Sequence, residues 1–171
     1  MQYILLAIAS VLATLGAYLL NWFFALFVQR DGNLPQWLSW FQPSDNPATG
    51  DRRWHEEHPY DTPYELAVSF MNRNPAQGFD QLCKADVTEE TPYTIRGNIN
   101  IKDEDNGVGG WYYITAGEYW HFAYVWKIPF MNRCATGGFG WRLISLAKGY
   151  SHPTLGQLVF TPARFQKFKG G

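Results

Sequence analysis

The hydrophobic positions at the start of the chain form one almost continuous run. Residues 1–29 contain no charged side chain, and Tyr3 to Val28 are nearly all aliphatic or aromatic. About 26 residues at a helical rise of ~1.5 Å extend ~39 Å, which exceeds the ~30 Å hydrocarbon core of a bilayer. A cleaved secretory signal fits less well, because no basic residue precedes the run and signal cores are about half as long. The pattern predicts a transmembrane anchor over residues 1–29.

One side of this predicted helix carries small residues at every fourth position. The stripe consists of Ala9, Ala13, Ala17, Asn21 and Ala25. Small side chains let a second helix approach closely, and an amide in hydrocarbon needs a hydrogen-bond partner. The stripe therefore predicts helix packing, with a homo-oligomer through the anchor as one form of it. The alternative is that alanine is common in such segments and Asn21 lies near the membrane surface.

The anchor is followed by residues typical of a membrane interface. Residues 34–41 read as a short helix with Pro35 in its first turn. Trp37, Trp40 and Phe41 are predicted to lie at the level of the lipid headgroups, where amphipathic aromatic rings are favoured. The polar stretch from Gln42 to Pro63 predicts a loop with little regular structure.

Beyond residue 62 the pattern changes from a helix to strands. Thr62-Pro63-Tyr64-Glu65 has the form of a capping box and predicts a helix over 63–72. Alternating aromatic and β-branched runs predict strands at 93–101, 110–115, 118–128, 139–146 and 157–160. The expected fold class is α+β, an antiparallel β-meander or small open barrel with one or two short helices. The expected domains are an anchor at 1–29, an interfacial helix and polar loop at 30–62, and a soluble domain at 63–171.

The predicted strand at 118–128 has two different faces. Tyr119, His121, Ala123 and Val125 alternate with the aromatic set Trp120, Phe122, Tyr124 and Trp126. One face is expected to be a core. The aromatic face is expected to be covered within the fold, with lipid or a partner as alternatives.

Charge is divided unevenly along the chain. Residues 1–118 carry all 15 acidic side chains, whereas residues 119–171 carry basic residues and no acidic one. Arg164, Lys167 and Lys169 alternate with phenylalanines, a pattern that suits a tail lying on anionic lipid. The alternative is that the two halves neutralise each other in the fold. The basic residues form no dense cluster and no nucleic-acid module is present, so a nucleic-acid partner is not predicted.

Catalytic and metal motifs are weak. His55, Glu56, Glu57 and His58 place two imidazoles and two carboxylates together, but the H-E-x-x-H spacing is not met and a solvated loop is favoured over a metal site. A pair between Cys134 and His121 across adjacent strands is a further weak candidate. No cofactor motif is present. The sequence therefore favours a function without catalysis, although a membrane-associated metal-dependent enzyme stays open.

Several short motifs resemble a family of small uncharacterised proteins of tailed bacteriophages. They are Leu34-Pro-x-Trp-Leu-x-Trp-Phe-Gln42, Ser44-Asp-Asn-Pro47, Arg73-Asn-Pro-Ala-x-Gly-Phe79, Arg133-Cys134 and Gly140-Trp-Arg-Leu143. The resemblance implies a bacteriophage setting and supplies no active site. In that setting the anchor, the small-residue stripe and the absence of a catalytic constellation favour an accessory protein in the host inner membrane, which binds a protein partner in host takeover or superinfection exclusion. A virion-associated structural protein is the alternative.

Arg30 favours a cytoplasmic soluble domain under the positive-inside rule, because it is the basic residue nearest the anchor.

Overall fold

The computed structural model describes residues 2–43, 45–102, 107–150 and 152–168. The chain divides into two compact units, Met1–Cys83 and Lys84–Gly171. The predicted anchor and the helix predicted at 63–72 therefore belong to the same unit. The domain bounds expected at residues 29 and 62 stay a prediction.

The N-terminal unit consists of helices. The long helix α1, Gln2–Phe24, runs into a 3₁₀ turn at Ala25–Phe27 and is followed by a 3₁₀ helix at Gln36–Phe41. Three shorter helices complete the unit: α2 at Arg52–Glu57, α3 at Pro63–Arg73 and α4 at Gln77–Leu82. The core lies where α1, the 3₁₀ helix and α3 meet, and its buried residues include Phe24, Leu38 and Met71.

The start of α3 is fixed by its capping box. The Thr62 hydroxyl accepts a hydrogen bond from the Glu65 amide, and the Glu65 carboxylate accepts one from the Thr62 amide. Pro63 occupies the first helical position, where its missing N–H costs nothing. The helix predicted at 63–72 is confirmed.

The prediction of a polar loop from Gln42 to Pro63 is wrong over residues 52–57. The Asp51 carboxylate caps α2 by accepting a hydrogen bond from the Trp54 amide at 2.8 Å. Arg52 and Arg53 each pair with a glutamate one turn later, Glu56 and Glu57, at 2.8 Å. These local contacts stabilise a short helix that has no buried face of its own.

The C-terminal unit is a five-stranded antiparallel open sheet, which confirms the predicted meander and the α+β class. Its strands are β1 at Tyr93–Gly97, β2 at Gly110–Ala116, β3 at Tyr119–Lys127, β4 at Arg133–Trp141 and β5 at Leu158–Lys167. Their spatial order follows the chain, β1-β2-β3-β4-β5. A short helix, α5 at Ile144–Lys148, lies between β4 and β5.

The fourth strand differs from the prediction of 139–146. It begins at Arg133 and ends at Trp141, and residues 144–148 are helical. Gly137 and Gly140 both lie within the strand, at positions where neighbouring atoms leave no room for a side chain. A Cβ at Gly140 would overlap the Trp120 carbonyl oxygen, and one at Gly137 would overlap the Tyr124 ring.

The fifth strand extends well beyond the predicted 157–160. Pro162 lies inside it, opposite an irregularity in the pairing between Thr136 and Gly138. Proline is tolerated there because β5 pairs with β4 alone and Pro162 needs no ladder donor. Pro162 therefore lies on an edge strand of the sheet.

Candidate functional site

Helix α1 presents two sides of different character. The buried residues Ala7, Ser10, Ala17, Asn21 and Phe24 recur at intervals of three, four and seven, so they share one side. That side contacts α3, α4 and the 3₁₀ helix. We call it the covered side of α1.

The remaining arc of α1 is apolar and exposed. We call this the uncovered side; its large side chains are Ile4, Leu5, Ile8, Val11, Leu12, Leu15, Tyr18, Leu19, Leu20, Trp22, Phe23 and Leu26. Soluble monomers rarely expose a continuous apolar patch of this extent. The segment Gln2–Phe27 is long and apolar enough to cross a membrane, although signal sequences and buried core helices share that length and composition.

The small-residue stripe lies against the chain's own helices. Ala17, Asn21 and Ala25 are buried, whereas Ala9 and Ala13 are half-buried. The Asn21 side-chain amide donates a hydrogen bond to the Asn72 side-chain oxygen on α3 at 3.0 Å. Asn72 therefore supplies an acceptor for the Asn21 NH2 group within the same unit, whereas the buried Asn21 Oδ1 has no hydrogen-bond partner among the described residues. Self-association through the anchor stays a prediction.

Polar groups line the covered side along much of its length. The Ser10 hydroxyl donates a hydrogen bond to the Asp80 carboxylate on α4. Near the other end of α1, the Tyr64 hydroxyl of α3 donates to the Trp22 carbonyl at 3.0 Å. Ser10 and Asn21 of α1 thus lie beside polar side chains of α4 and α3, respectively.

The residues predicted to lie at the membrane interface are placed differently from one another. Trp37 and Trp40 are both exposed. The Trp37 ring contacts Phe27, just after α1, at 5.6 Å, whereas the Trp40 ring contacts Phe79 of α4 at 6.1 Å. Phe41 instead packs on Phe24 at 4.5 Å within the core.

The basic residues predicted for that interface lie on β5 or beyond it. Arg164 and Lys167 are both exposed, on opposite faces of the strand because they are three residues apart. Lys169 lies outside the described residues.

The cluster at His55, Glu56, Glu57 and His58 is occupied by local contacts. The two glutamates pair with Arg52 and Arg53, and the His58 ring lies against Trp54 at 4.0 Å. Among the described residues, no group of three or more His, Cys, Asp or Glu side chains is arranged to hold a metal ion. A metal site at these residues therefore remains a hypothesis that rests on the sequence alone.

The prediction that Cys134 and His121 form a pair across adjacent strands is wrong. His121 lies opposite Gly140, whereas Cys134 lies opposite Lys127 at the far end of the same two strands. The six residues between these positions on β3 correspond to ~20 Å at ~3.4 Å per residue.

The sheet has one buried face and one aromatic face. The buried face includes Tyr112, Ile114, His121 and Val125. The aromatic face carries a row of rings across β2 to β5. Trp111 and Phe122 are 6.4 Å apart, Phe122 and Phe139 are 6.4 Å apart, and Phe139 and Phe160 are 5.9 Å apart.

Part of this aromatic face is exposed, whereas Trp120, Phe122 and Tyr124 are half-buried, so the expectation that the whole face is covered within the fold is not met. Trp126 is 70% exposed, Phe165 is 66% exposed and Trp111 is 49% exposed. A recess of about 530 Å³ lies on it, lined by Trp111, Phe122, Tyr124 and Trp126 among others. Phe139, Phe160 and Phe165 were not assigned to this surface from the sequence, because their membership depends on the pairing register.

Two titratable groups on the buried face are strongly perturbed. Burial, together with the positive charge of the nearby Arg142, lowers the pKa of His121 to about 3. Burial raises the pKa of Tyr112 to about 12. The two rings contact edge to face at 5.1 Å. Near neutral pH both side chains are therefore uncharged.

Comparison with known proteins gives one match. A model described as a family of unknown function (DUF7338) matches residues 1–167. No curated protein matches the chain. No solved structure matches it either.

Proposed function

Because the chain belongs to this family of unknown function, we propose a function from its own surfaces: it is a membrane-bound protein that presents an aromatic sheet face to a protein partner. The uncovered side of α1 supports the first half of the proposal, and the exposed rings of the sheet support the second. The function needs no catalytic step.

The observation that carries the proposal is the uncovered side of α1. Moving a Leu-sized side chain out of water is worth about 1.5–3 kcal/mol, so a dozen partly exposed ones supply on the order of 10 kcal/mol. A bilayer can cover such a surface whatever its shape, because the lipid chains adapt to it. The exposed Trp37 lies against Phe27 just after α1, and indoles favour the headgroup region of a bilayer.

The covered side of α1 favours a helix lying along the membrane surface over one that spans it. A spanning α1 would carry α3 and α4 into the hydrocarbon, together with the Asp80 carboxylate bonded to Ser10. Charged groups at that depth cost several kcal/mol. A helix in the plane of the interface buries its uncovered side in lipid and leaves Asp80 toward water.

The aromatic face supports a protein partner. Its recess, lined by Trp111, Phe122 and Trp126, is large enough to receive an apolar side chain of another protein. Exposed tryptophans in a pocket are the residues that most often dominate binding energy at protein interfaces.

We place this function in the setting that the resemblance to tailed-phage proteins implies. The protein then acts in the host inner membrane, with its sheet on the cytoplasmic side, in host takeover or exclusion of later phages. In the spanning arrangement, Arg30, the basic residue nearest the apolar run, would place the sheet on the cytoplasmic side.

Flotation with lipid vesicles tests the membrane half of the proposal. The full chain is expected to float with vesicles, and Leu12→Glu with Leu15→Glu is expected to stay at the bottom of the gradient. The control is Leu12→Met with Leu15→Met, which keeps the surface apolar and should float. Flotation of the glutamate variant, or failure of the unaltered chain to float, would contradict the proposal.

Tags at both ends then separate the two membrane arrangements. A helix lying in the interface leaves both tags accessible to protease from one side of the membrane, whereas a spanning helix leaves one tag on each side. In infected cells the same digestion reports whether the sheet faces the cytoplasm, with inverted and right-side-out vesicles as the two arms.

A further inference from the structure

A second cavity opens on the buried face of the sheet, away from the aromatic recess. It has a volume of about 380 Å³ and lies among β2 to β5 and the segment that follows β4. His121 and Arg142 line it, as do the exposed side chains of Lys102 and Arg164. No Asp or Glu occurs among its described lining residues. We call it the cationic cavity.

His121 contributes a fixed hydrogen-bond donor. Its Nδ1 accepts a hydrogen bond from the Leu143 amide at 3.2 Å. Since a backbone amide only donates, Nδ1 carries no proton, and the proton of the neutral ring is on Nε2. Nε2 lies 4.0 Å from the point where a Cβ on Gly138 would be, so the missing side chain of Gly138 leaves room beside this donor.

Arg142 contributes a donor that has no acceptor. Its Nε is buried from solvent and has no hydrogen-bond partner among the described residues. Both ion pairs found in the described part of the chain lie on α2, so neither neutralises the Arg142 guanidinium. A buried donor left unpaired destabilises the fold, and a charged donor does so more strongly. An oxygen ligand in the cavity would remove that cost.

The charge and the walls of the cavity indicate the class of ligand. Lys102, Arg142 and Arg164 bring three positive charges, and His121 adds a neutral donor. Arginine forks match phosphate and carboxylate geometry, but three cations favour the doubly charged phosphate monoester. Val125, Val159 and Ile144 form apolar parts of the wall, which suit a hydrocarbon substituent on the ester.

We propose that the cationic cavity binds a phosphate monoester, with Arg142 and His121 donating to its oxygens and Lys102 and Arg164 holding it electrostatically. The ester can be a soluble metabolite or the headgroup of an anionic lipid such as phosphatidic acid. The proposal is independent of the partner surface on the other face of the sheet.

Titration of the full chain in neutral detergent micelles tests the proposal. The probes are inorganic phosphate, phenyl phosphate and phosphatidic acid added to the micelles, and phenol is the uncharged control. Affinity is measured by calorimetry, and the NMR signal of the Arg142 Nε–H reports the site. We expect saturable binding below about 1 mM with a shift of that signal, and none with phenol.

Two substitutions separate the cavity from general electrostatic attraction. Arg142→Gln keeps a hydrogen-bonding side chain but removes the charge, and should weaken binding at least tenfold. Arg133→Gln removes an exposed charge outside the cavity and should weaken it less than twofold. Gly138→Ala, at a position without a positive φ, should reduce access to His121 by filling the space beside it.

The outcomes are distinct. Arg142-dependent binding of phenyl phosphate identifies a soluble ester, and Arg142-dependent binding of phosphatidic acid alone identifies a lipid headgroup. Absence of saturable binding by every probe overturns the proposal, as does equal weakening by Arg142→Gln and Arg133→Gln. If Arg142→Gln does not fold, Lys102→Gln, which alters an exposed side chain, provides the same comparison with an expected loss of about threefold.

Discussion

The Ser10 hydroxyl on α1 donates a hydrogen bond to the Asp80 carboxylate on α4, although the two residues are 70 positions apart in the sequence. The contact joins the apolar helix α1 to a charged group on α4, which is the last helix of the N-terminal unit. The contribution of this hydrogen bond to stability therefore reports whether α1 remains packed against α4 when the protein binds lipid.

Ser10→Ala should destabilise the N-terminal unit by about 1.5–3 kcal/mol, the usual range for a hydrogen bond to a charged group. Thermal unfolding of the full chain in detergent measures the effect. Ser69→Ala is the matched control, because the Ser69 hydroxyl bonds only to the Leu66 carbonyl of its own helix. Equal losses for the two variants would show that Ser10 and Asp80 are not paired in the membrane-bound protein.

His121 should make the stability of the sheet depend on pH in acid. Its folded pKa of about 3 is below the ordinary value of 6.5, so below pH 6.5 the unfolded state binds a proton that the folded state does not. The free energy of unfolding should therefore fall as the pH decreases from 6.5 toward 3, by up to about 1.4 kcal/mol per pH unit, and should be independent of this group above 6.5.

Pulse proteolysis of the full chain between pH 4 and pH 7, with fragments of residues 110–141 quantified, measures this dependence. His121→Asn keeps an acceptor for the Leu143 amide and should flatten the profile. His55→Asn, on the exposed surface of α2, should leave it unchanged. If the stability of the unaltered chain and that of His121→Asn changed with pH in the same way, His121 would not be buried as a neutral ring.

Gly140→Ala should destabilise the sheet by about 3 kcal/mol or more. Gly140 has a φ of 95°, and a Cβ there would overlap the Trp120 carbonyl oxygen on β3, which is backbone and does not move freely. Gly117→Ala is the control, since Gly117 has a φ of 59° in a turn with nothing within 4 Å and should lose only about 1 kcal/mol. Urea unfolding followed by tryptophan fluorescence compares the two; losses of the same size would argue against the β3 and β4 register.

A photo-crosslinking amino acid at position 126 should capture a protein partner in cells. Trp126 is 70% exposed at the aromatic recess, so the replacement should not alter stability by more than about 0.5 kcal/mol. The same amino acid at Lys148, which is exposed at the end of α5, provides the background. A discrete adduct at 126 that is absent at 148 supports the partner surface, and identical patterns would count against it.

The parts of the fold that were predictable from the sequence are those that local sequence patterns determine. The apolar run of α1, the capping box of α3 and the succession of alternating strands each act over a few residues. The helix α2 was missed because its stabilising contacts, the Asp51 cap and the pairs of Arg52 and Arg53, lie in a segment whose composition is that of a loop.

The features that were not predictable depend on register. The start of β4 at Arg133 was missed, and only the positions of Tyr124 and Trp120 across the sheet explain why glycine is required at Gly137 and Gly140 within it. In the same way, Lys102, His121, Arg142 and Arg164 are spread over more than sixty residues, and no spacing in the sequence brings them to one cavity. The row of rings from Trp111 to Phe160 also needs all four strands in place.

The separation between α1 and the helices that cover it has a kinetic consequence during synthesis. Residues 63–82, which form α3 and α4, are made after α1 is complete. At about 5–20 residues per second, the 58 residues from Phe24 to Leu82 take several seconds to translate. For that interval the whole circumference of α1 is without its covering helices, so the nascent chain meets lipid or a targeting factor before the unit can close around it.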